Sequence, residues 1–236
     1  MSDTRQSAAC GPQADRNLTP IATLIEDPAR SAMLAALAGG RALPAGELAR
    51  RAGVQPGTAS VHLRRLTEAG LIRVRAQGRH RYHEIADPEV ATVLEAIAEI
   101  APPAPVAVAD RQAACALSEA RTCYDHLAGR RGVQLRDRLL AVGAIRHLDD
   151  RDHELTDRGQ HLVERLDIDL AALRASRRVF ARSCVDWTDR RIHLAGALPA
   201  AITGVFIARG WLGDAPGRSL HVAERFDDKI DEWLAT

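Results

Sequence analysis

Aromatic residues make up only 3% of this 236-residue chain. That is too few for the stacking platforms on which single-stranded nucleic acids lie, and the core has to be built from alanine, leucine, valine and isoleucine. No run approaches the roughly eighteen apolar residues of a membrane span. Met1 to Asn17 lacks the apolar stretch of a secretion signal. A cytoplasmic protein with no membrane partner is therefore expected. Cysteine is scarce as well, and four of them in a chain of this length without a signal are expected as reduced thiols rather than as a disulfide framework. The formal net charge is only +1, so total charge selects no partner.

Charge is instead concentrated. Between Arg64 and Arg81 stand arginines 64, 65, 73, 75, 79 and 81 against the single acid Glu68, a patch suited to phosphates. Its setting is a helix-turn-helix followed by a hairpin. Glu47 to Ala52 places Leu48, Ala49 and Ala52 on one helical face, and Gly53 supplies the turn. Gln55-Pro56 opens a second helix whose stripe is Ala59, Leu63, Leu66 and Ala69, leaving Thr58, Val61, His62 and Arg65 on the free face. Gly70 ends that helix. Leu71 to Arg75 then reads as a strand, Gln77-Gly78 as a turn, and Arg79 to Ile85 as the returning strand. The whole predicts a DNA-binding winged helix.

The sequence Glu47-Leu48-Ala49, Thr58-Ala59-Ser60-Val61-His62-Leu63 with Leu66, Ala69-Gly70-Leu71, Gly78-Arg79 and Tyr82 resembles the ArsR-type winged-helix repressors over roughly Asn17 to Ile100. The resemblance implies a homodimer that places paired recognition helices in successive major grooves of double-stranded operator DNA, and that an inducing ligand releases. By carry-over it assigns Thr58, Ser60, His62 and Arg65 to the base-reading surface, and Arg79 and Arg81 to the backbone or minor groove, with Ser60 alternatively serving helix packing. Gln55, Arg64, Arg73 and Arg75 complete the expected DNA contacts. Two metal sites known in the family do not transfer. Glu47 to Ala52 has no cysteine, and Asp87 to Ile100 has no histidine.

Punctuation divides the rest. Residues 1–17 are polar and read as a tail, in which Cys10 carries no argument. Residues 18–100 form the DNA-binding and dimerisation domain, with a helix interrupted near Pro28 and another running from Asp87-Pro88 to Ile100. A proline cluster breaks the chain at residues 101–107. Residues 108–236 are expected to form a second, effector-sensing domain, since 236 residues far exceed the roughly 100 of a minimal winged-helix regulator.

That second domain is duplicated, as repeats of about 108–167 and 168–236. Arg121-Thr122-Cys123-Tyr124-Asp125 recurs as Arg182-Ser183-Cys184-Val185-Asp186, and His126-Leu127-Ala128-Gly129 as His193-Leu194-Ala195-Gly196. Val133, Leu135, Leu139 and Leu140 then align with Ala200, Ile202, Phe206 and Ile207. Each copy reads as helix, helix, glycine stop, short hairpin and helix, a degenerate winged-helix-like unit. Neither has an arginine-rich hairpin, and Asp149, Asp150, Asp152, Asp227 and Asp228 would repel DNA. The expected fold class is mainly α with short β-hairpins, α+β overall.

A pseudo-twofold between the copies would bring Cys123, Asp125 and His126 to Cys184, Asp186 and His193, giving two thiolates and two imidazoles for a thiophilic divalent metal such as zinc. On this reading Cys123 and His126 share a helical face, and a helix breaks between Trp187 and Arg190 to bring Cys184 and His193 together. Three other readings use the same residues. A thiolate activated by a neighbouring His or Arg would sense oxidants or electrophiles. An organic effector would lie between the copies, walled by Trp187 or Trp211. A duplicated fold also repeats plain packing residues. A thiol hydrolase is disfavoured, because no oxyanion-hole or phosphate-loop sequence accompanies Cys123, Asp125 and His126. The near-neutral charge disfavours a sequence-blind architectural DNA binder. The expectation is thus a non-enzymatic, homodimeric repressor of operator DNA answering to a metal ion or small molecule.

Overall fold

A computed structural model describes residues 16–78, 80–102, 111–215 and 217–235. Residues 1–15 of the expected tail, with Cys10, most of the proline cluster and the wing residue Arg79 lie outside these described residues.

The N-terminal half runs α1 (Thr19–Glu26), α2 (Pro28–Leu37), β1 (Leu43–Pro44), α3 (Ala45–Arg51), α4 (Pro56–Glu68), β2 (Ile72–Gln77), β3 (His80–Ile85) and α5 (Pro88–Ile100). Pro28 falls where a helix lacks a backbone partner anyway, and Asp27 caps α2 by accepting the Arg30 N–H. Gly53, at φ 65°, turns α3 into α4, and Gly70, at φ 72°, ends α4. Strands β2 and β3 pair antiparallel from Ile72↔Ile85 to Gln77↔His80, with β1 on the far edge of β3. Met33, Leu34, Leu37, Leu48, Ala59, Leu63, Leu66 and Ile72 form the core between these elements. Ala69, expected in the buried stripe, is exposed; it caps the C-terminus of α4, one turn beyond the last core contact.

The C-terminal half begins with α6 (Arg111–Glu119). It continues through β4 (Arg121–Cys123), β5 (His126–Ala128), α7 (Arg130–Ala141), β6 (Ile145–His147), β7 (His153–Leu155) and α8 (Asp157–Glu164). The second repeat follows as α9 (Leu170–Ala175), β8 (Arg182–Val185), β9 (Ile192–Ala195), α10 (Ala197–Ala208), β10 (Leu212–Asp214), β11 (Leu220–Val222) and α11 (Phe226–Leu234). Both repeats therefore read helix, hairpin, helix, hairpin, helix. The first hairpin corrects the sequence reading. Cys123 and His126 are not on one helical face but opposite each other across β4 and β5, and Cys184 and His193 are opposite each other across β8 and β9. No helix has to break between Trp187 and Arg190, because that segment belongs to the longer loop of the second hairpin.

The two repeats exchange partners. Helix α7 packs on β9 of the other repeat and α10 on β5, while β5 and β9 lie side by side. The hairpins also cross-pair at the bridges Arg121↔Ser219 and Asp152↔Arg182. Gly129 and Gly196 show why glycine recurs ahead of the long helices. Both have positive φ, and a Cβ would come within 2.8 Å of the Ser118 carbonyl at one and 2.5 Å of the Val179 carbonyl at the other. One core serves both repeats, with Leu135, Leu139, Leu162, Leu198, Ile202, Phe206, Ile230 and Trp233 in it.

The halves meet at one seam. The Tyr124 N–H donates to the Ala38 carbonyl at 2.9 Å, and the Thr122 hydroxyl donates to the Gly39 carbonyl at 2.9 Å. Gly40, at φ 72°, leaves room for the Tyr124 carbonyl, which a Cβ would meet at 2.1 Å. From the other side Arg218 pairs with the buried Glu95 on α5 and Arg182 donates to the Thr92 hydroxyl. No helix among the described residues is long and apolar enough to cross a membrane.

Candidate effector site and nucleic-acid interface

The cross-paired hairpins bring four donor atoms to one point. One from each of Cys123, His126, Cys184 and His193 all lie within 4.8 Å of one another. The two Sγ atoms are 4.0 Å apart and the two Nε2 atoms 3.2 Å apart, the imidazoles being stacked with centroids 5.2 Å apart. Cys123, His126 and His193 are buried, whereas Cys184 keeps partial exposure.

Carboxylates stand behind both imidazoles. Asp125 lies 3.6 Å from His126 Nδ1 and Asp186 lies 3.8 Å from His193 Nδ1. Each carboxylate is fixed by arginine: Asp125 takes a two-pronged contact from Arg178 at 2.6 and 3.0 Å, and Asp186 pairs with Arg121 at 2.9 Å, both side chains being 0% exposed. Asp186 also accepts the Gly129 N–H at 2.6 Å at the head of α7. Burial opposes its charge, but Arg121, Thr188 and the backbone N–H groups of Asp189 and Gly129 outweigh that and hold the carboxyl well below the usual carboxylate range. The Cys184 thiol is likewise held low, by its hydrogen bond with Cys123 and then by His126 and His193, against the opposing effect of burial.

Beside Cys184 opens a cavity of about 220 Å³. Helix α5 lines one side with Ala91, Thr92 and Glu95, and Arg178, Arg182 and Ser183 line the other. Neither expected tryptophan wall is there. Trp187 lies beneath Arg121, whose guanidinium carbon is 4.5 Å from the ring centroid, and Trp211 stacks on Phe206 in the shared core at 4.9 Å. Arg178, Arg182 and the seam through Thr122 and Tyr124 were not singled out by sequence. The repeat itself held the clue, since Arg182 and Thr122 belong to the recurring strings that carry the cysteines.

The other site residues lie on α4 and the wing. Gln55 precedes α4, and Thr58, Ser60, Arg64 and Arg65 are exposed along it. Ser60 spends its hydroxyl on the Pro56 carbonyl at 2.9 Å. His62 is not on the free face: its side chain is only 13% exposed and its Nδ1 lies 3.3 Å from Arg30 Nη1. Arg30, buried, also donates to the carbonyls of Leu24 and Thr23 at 2.7 and 2.8 Å, so His62 belongs to the corner that joins α1, α2 and α4. On the wing, Arg73 and Arg75 reach Glu84 at 2.8 and 3.7 Å, which offsets part of the basic patch. Arg81 is exposed.

A helix-turn-helix domain model matches residues 25–75. The HTH-type transcriptional regulator YdfF of Bacillus subtilis (strain 168) is 42% identical over 201 residues, which are 85% of this chain and 88% of YdfF. The chain belongs to the HTH-type transcriptional regulators. Its N-terminal half carries the ArsR-type pattern of Glu47-Leu48-Ala49 and Thr58 to Leu63. Two solved structures match this regulator over a smaller share. The homodimeric winged helix-turn-helix DNA-binding domain of Mb0332 from Mycobacterium bovis, described as a possible ArsR-family regulator, is 26% identical. It covers 37% of this chain and 86% of its own, with TM-score 0.33. The cadmium metal-sensor CMTR from Mycobacterium tuberculosis is 27% identical over 39% of this chain and 99% of its own, with TM-score 0.30. The YdfF match spans far more of this regulator than either structure, so the duplicated half has a counterpart in YdfF.

Proposed function

We propose that this regulator is a homodimeric repressor, released from its operator by an effector captured at Cys123, His126, Cys184 and His193 and in the adjoining cavity. The observation that carries the reading is the seam. Thr122 and Tyr124, on either side of Cys123, are bonded to the end of α2, and the cavity beside Cys184 is walled by α5. A shift of the hairpins on capture would thereby bear on α2 and α5, the helices that flank the helix-turn-helix of α3 and α4. Dimerisation is supported by α5, where Val93, Ile97 and Ile100 are exposed in an i, i+4, i+7 stripe, and base reading by Thr58 and Arg65 on the open face of α4. Arg64, Arg81 and Arg79 would serve the phosphates.

Anisotropy of a labelled duplex from the DNA upstream of the coding region, titrated before and after removal of metal with a strong chelator, tests this. Expected is an affinity at least about a thousandfold above that for random DNA that changes on chelation. Equal affinity for random DNA would remove the repressor reading. A second reading of the same atoms, oxidation of Cys123 and Cys184 to a disulfide, is favoured by their 4.0 Å separation, about 2 Å from bonding distance. It predicts loss of operator binding on treatment with hydroperoxide, reversed by a dithiol.

A further inference from the structure

We propose that Cys123 Sγ, His126 Nε2, Cys184 Sγ and His193 Nε2 hold one thiophilic divalent cation of the zinc class in closed tetrahedral coordination, with Asp125 and Asp186 orienting the two imidazoles. This rests on the effector site of the preceding section and gives its ligand a chemical class.

Geometry carries the assignment. A tetrahedral ion with metal–sulfur bonds of about 2.3 Å and metal–nitrogen bonds of about 2.0–2.1 Å has an S–S edge of about 3.8 Å and an N–N edge of about 3.4 Å. The site shows 4.0 Å and 3.2 Å. Packing alone gives no reason for four lone-pair donors to converge. Two buried Nε2 atoms facing each other can share only one proton, whereas a cation uses both. Behind the set, the two buried Nδ1 atoms have no hydrogen-bond partner among the described residues and lie 3.6 and 3.8 Å from carboxylates that arginine anchors, so a small closure of the site would give the carboxylate–histidine pairing that fixes the tautomer of a ligating histidine. No carboxylate lies in the inner set. Two thiolates and two imidazoles suit zinc, cobalt or cadmium and reject magnesium and calcium.

The donors come in matched pairs, one Cys and one His from each repeat, each pair held at fixed separation by a strand register. The set is therefore positioned by backbone ladders before any ion arrives. Four protein ligands fill the tetrahedron and leave no open position for substrate water. That is the signature of a binding site rather than a catalytic one. Cys123, His126 and Cys184 line the cavity under α5, with Cys184 the most exposed of them, and that cavity supplies the way in and out.

The test is cobalt(II) titration of the full chain, stripped of metal and kept reduced, with optical spectroscopy. One equivalent per chain should give the near-ultraviolet thiolate-to-cobalt band and the intense visible bands of a tetrahedral ion, both lost on adding zinc and unmoved by magnesium. Cys184→Ser, nearly isosteric and at a partly exposed position, should weaken and change the thiolate band. Asp125→Asn should keep the band shape while lowering affinity about 10- to 100-fold. Weak octahedral bands, or spectra indistinguishable between wild type and Cys184→Ser, overturn the assignment. Operator affinity on the same samples judges the repressor reading separately: a normal cobalt spectrum with unchanged DNA binding keeps the site and removes the release mechanism.

Discussion

Arg121 is the largest side chain wholly removed from solvent, and it is charged. Its guanidinium is held by Asp186, Thr188 and the face of Trp187, and Asp186 in turn reaches the head of α7 and His193. Removing one member of such a pair strands the other, so Arg121→Ala should lose about 3–5 kcal/mol of unfolding free energy by urea denaturation, much more than an exposed arginine such as Arg225. His153 is a residue of the opposite kind. Neither ring nitrogen has a hydrogen-bond partner among the described residues, and burial, followed by His147 and Arg136, pulls its pKa down from 6.5 to about 4. The unfolded chain then takes up a proton that the folded chain refuses, so stability falls as pH drops from 6.5 towards about 4. His153→Gln should flatten that dependence, read from denaturation midpoints at about pH 7 and about pH 5; equal slopes would show that His153 is not its source.

Among the elements, α3, α4 and the wing were legible because their signals are local: an apolar stripe, a proline at a helix start and glycines at positive φ. What sequence could not give was occupancy. His62 sits on the same side of α4 as Arg65 by periodicity, yet Arg30 reaches across from α2 and claims it, a contact between residues 32 positions apart. The Cys/His strings show the same limit. Their recurrence singled out six residues that the fold brings together, but RTCYDH carries no period that separates a tight hairpin from a helical turn. Cys123 faces His126 through the register of β4 on β5, and α7 and α10 both pack on β5. At the wing, Glu84 pairs with both Arg73 and Arg75 and offsets one of their two charges, so the proposed phosphate contact there is assigned to the exposed Arg81. Arg81→Ala and Arg65→Ala should each lower operator affinity. For Arg81→Ala the loss should be alike on operator and random DNA and the salt slope should fall by about 1, whereas Arg65→Ala should narrow the difference between the two DNAs. An unchanged slope for Arg81→Ala would take that residue off the phosphates.

At the scale of the molecule, two cores are joined where α2 ends in Gly39 and Gly40. A side chain at Gly40 would drive into the Tyr124 carbonyl at 2.1 Å and meet a left-handed backbone besides. Gly40→Ala should therefore unseat the β4–β5 hairpin from α2 while leaving both cores packed. Operator binding should survive with its response to metal removal largely lost, and a full response would show that the signal travels through α5 alone. The exchange of partners between the repeats has a consequence for dose. A chain with a single repeat could assemble the Cys/His set only by meeting another chain, and its threshold would drift with the abundance of the protein. Here both halves of the set are tethered in one polypeptide, so capture is first order in protein. On the proposed mechanism the dissociation constant of the set then belongs to one chain and its ligand, with no chain–chain association in it.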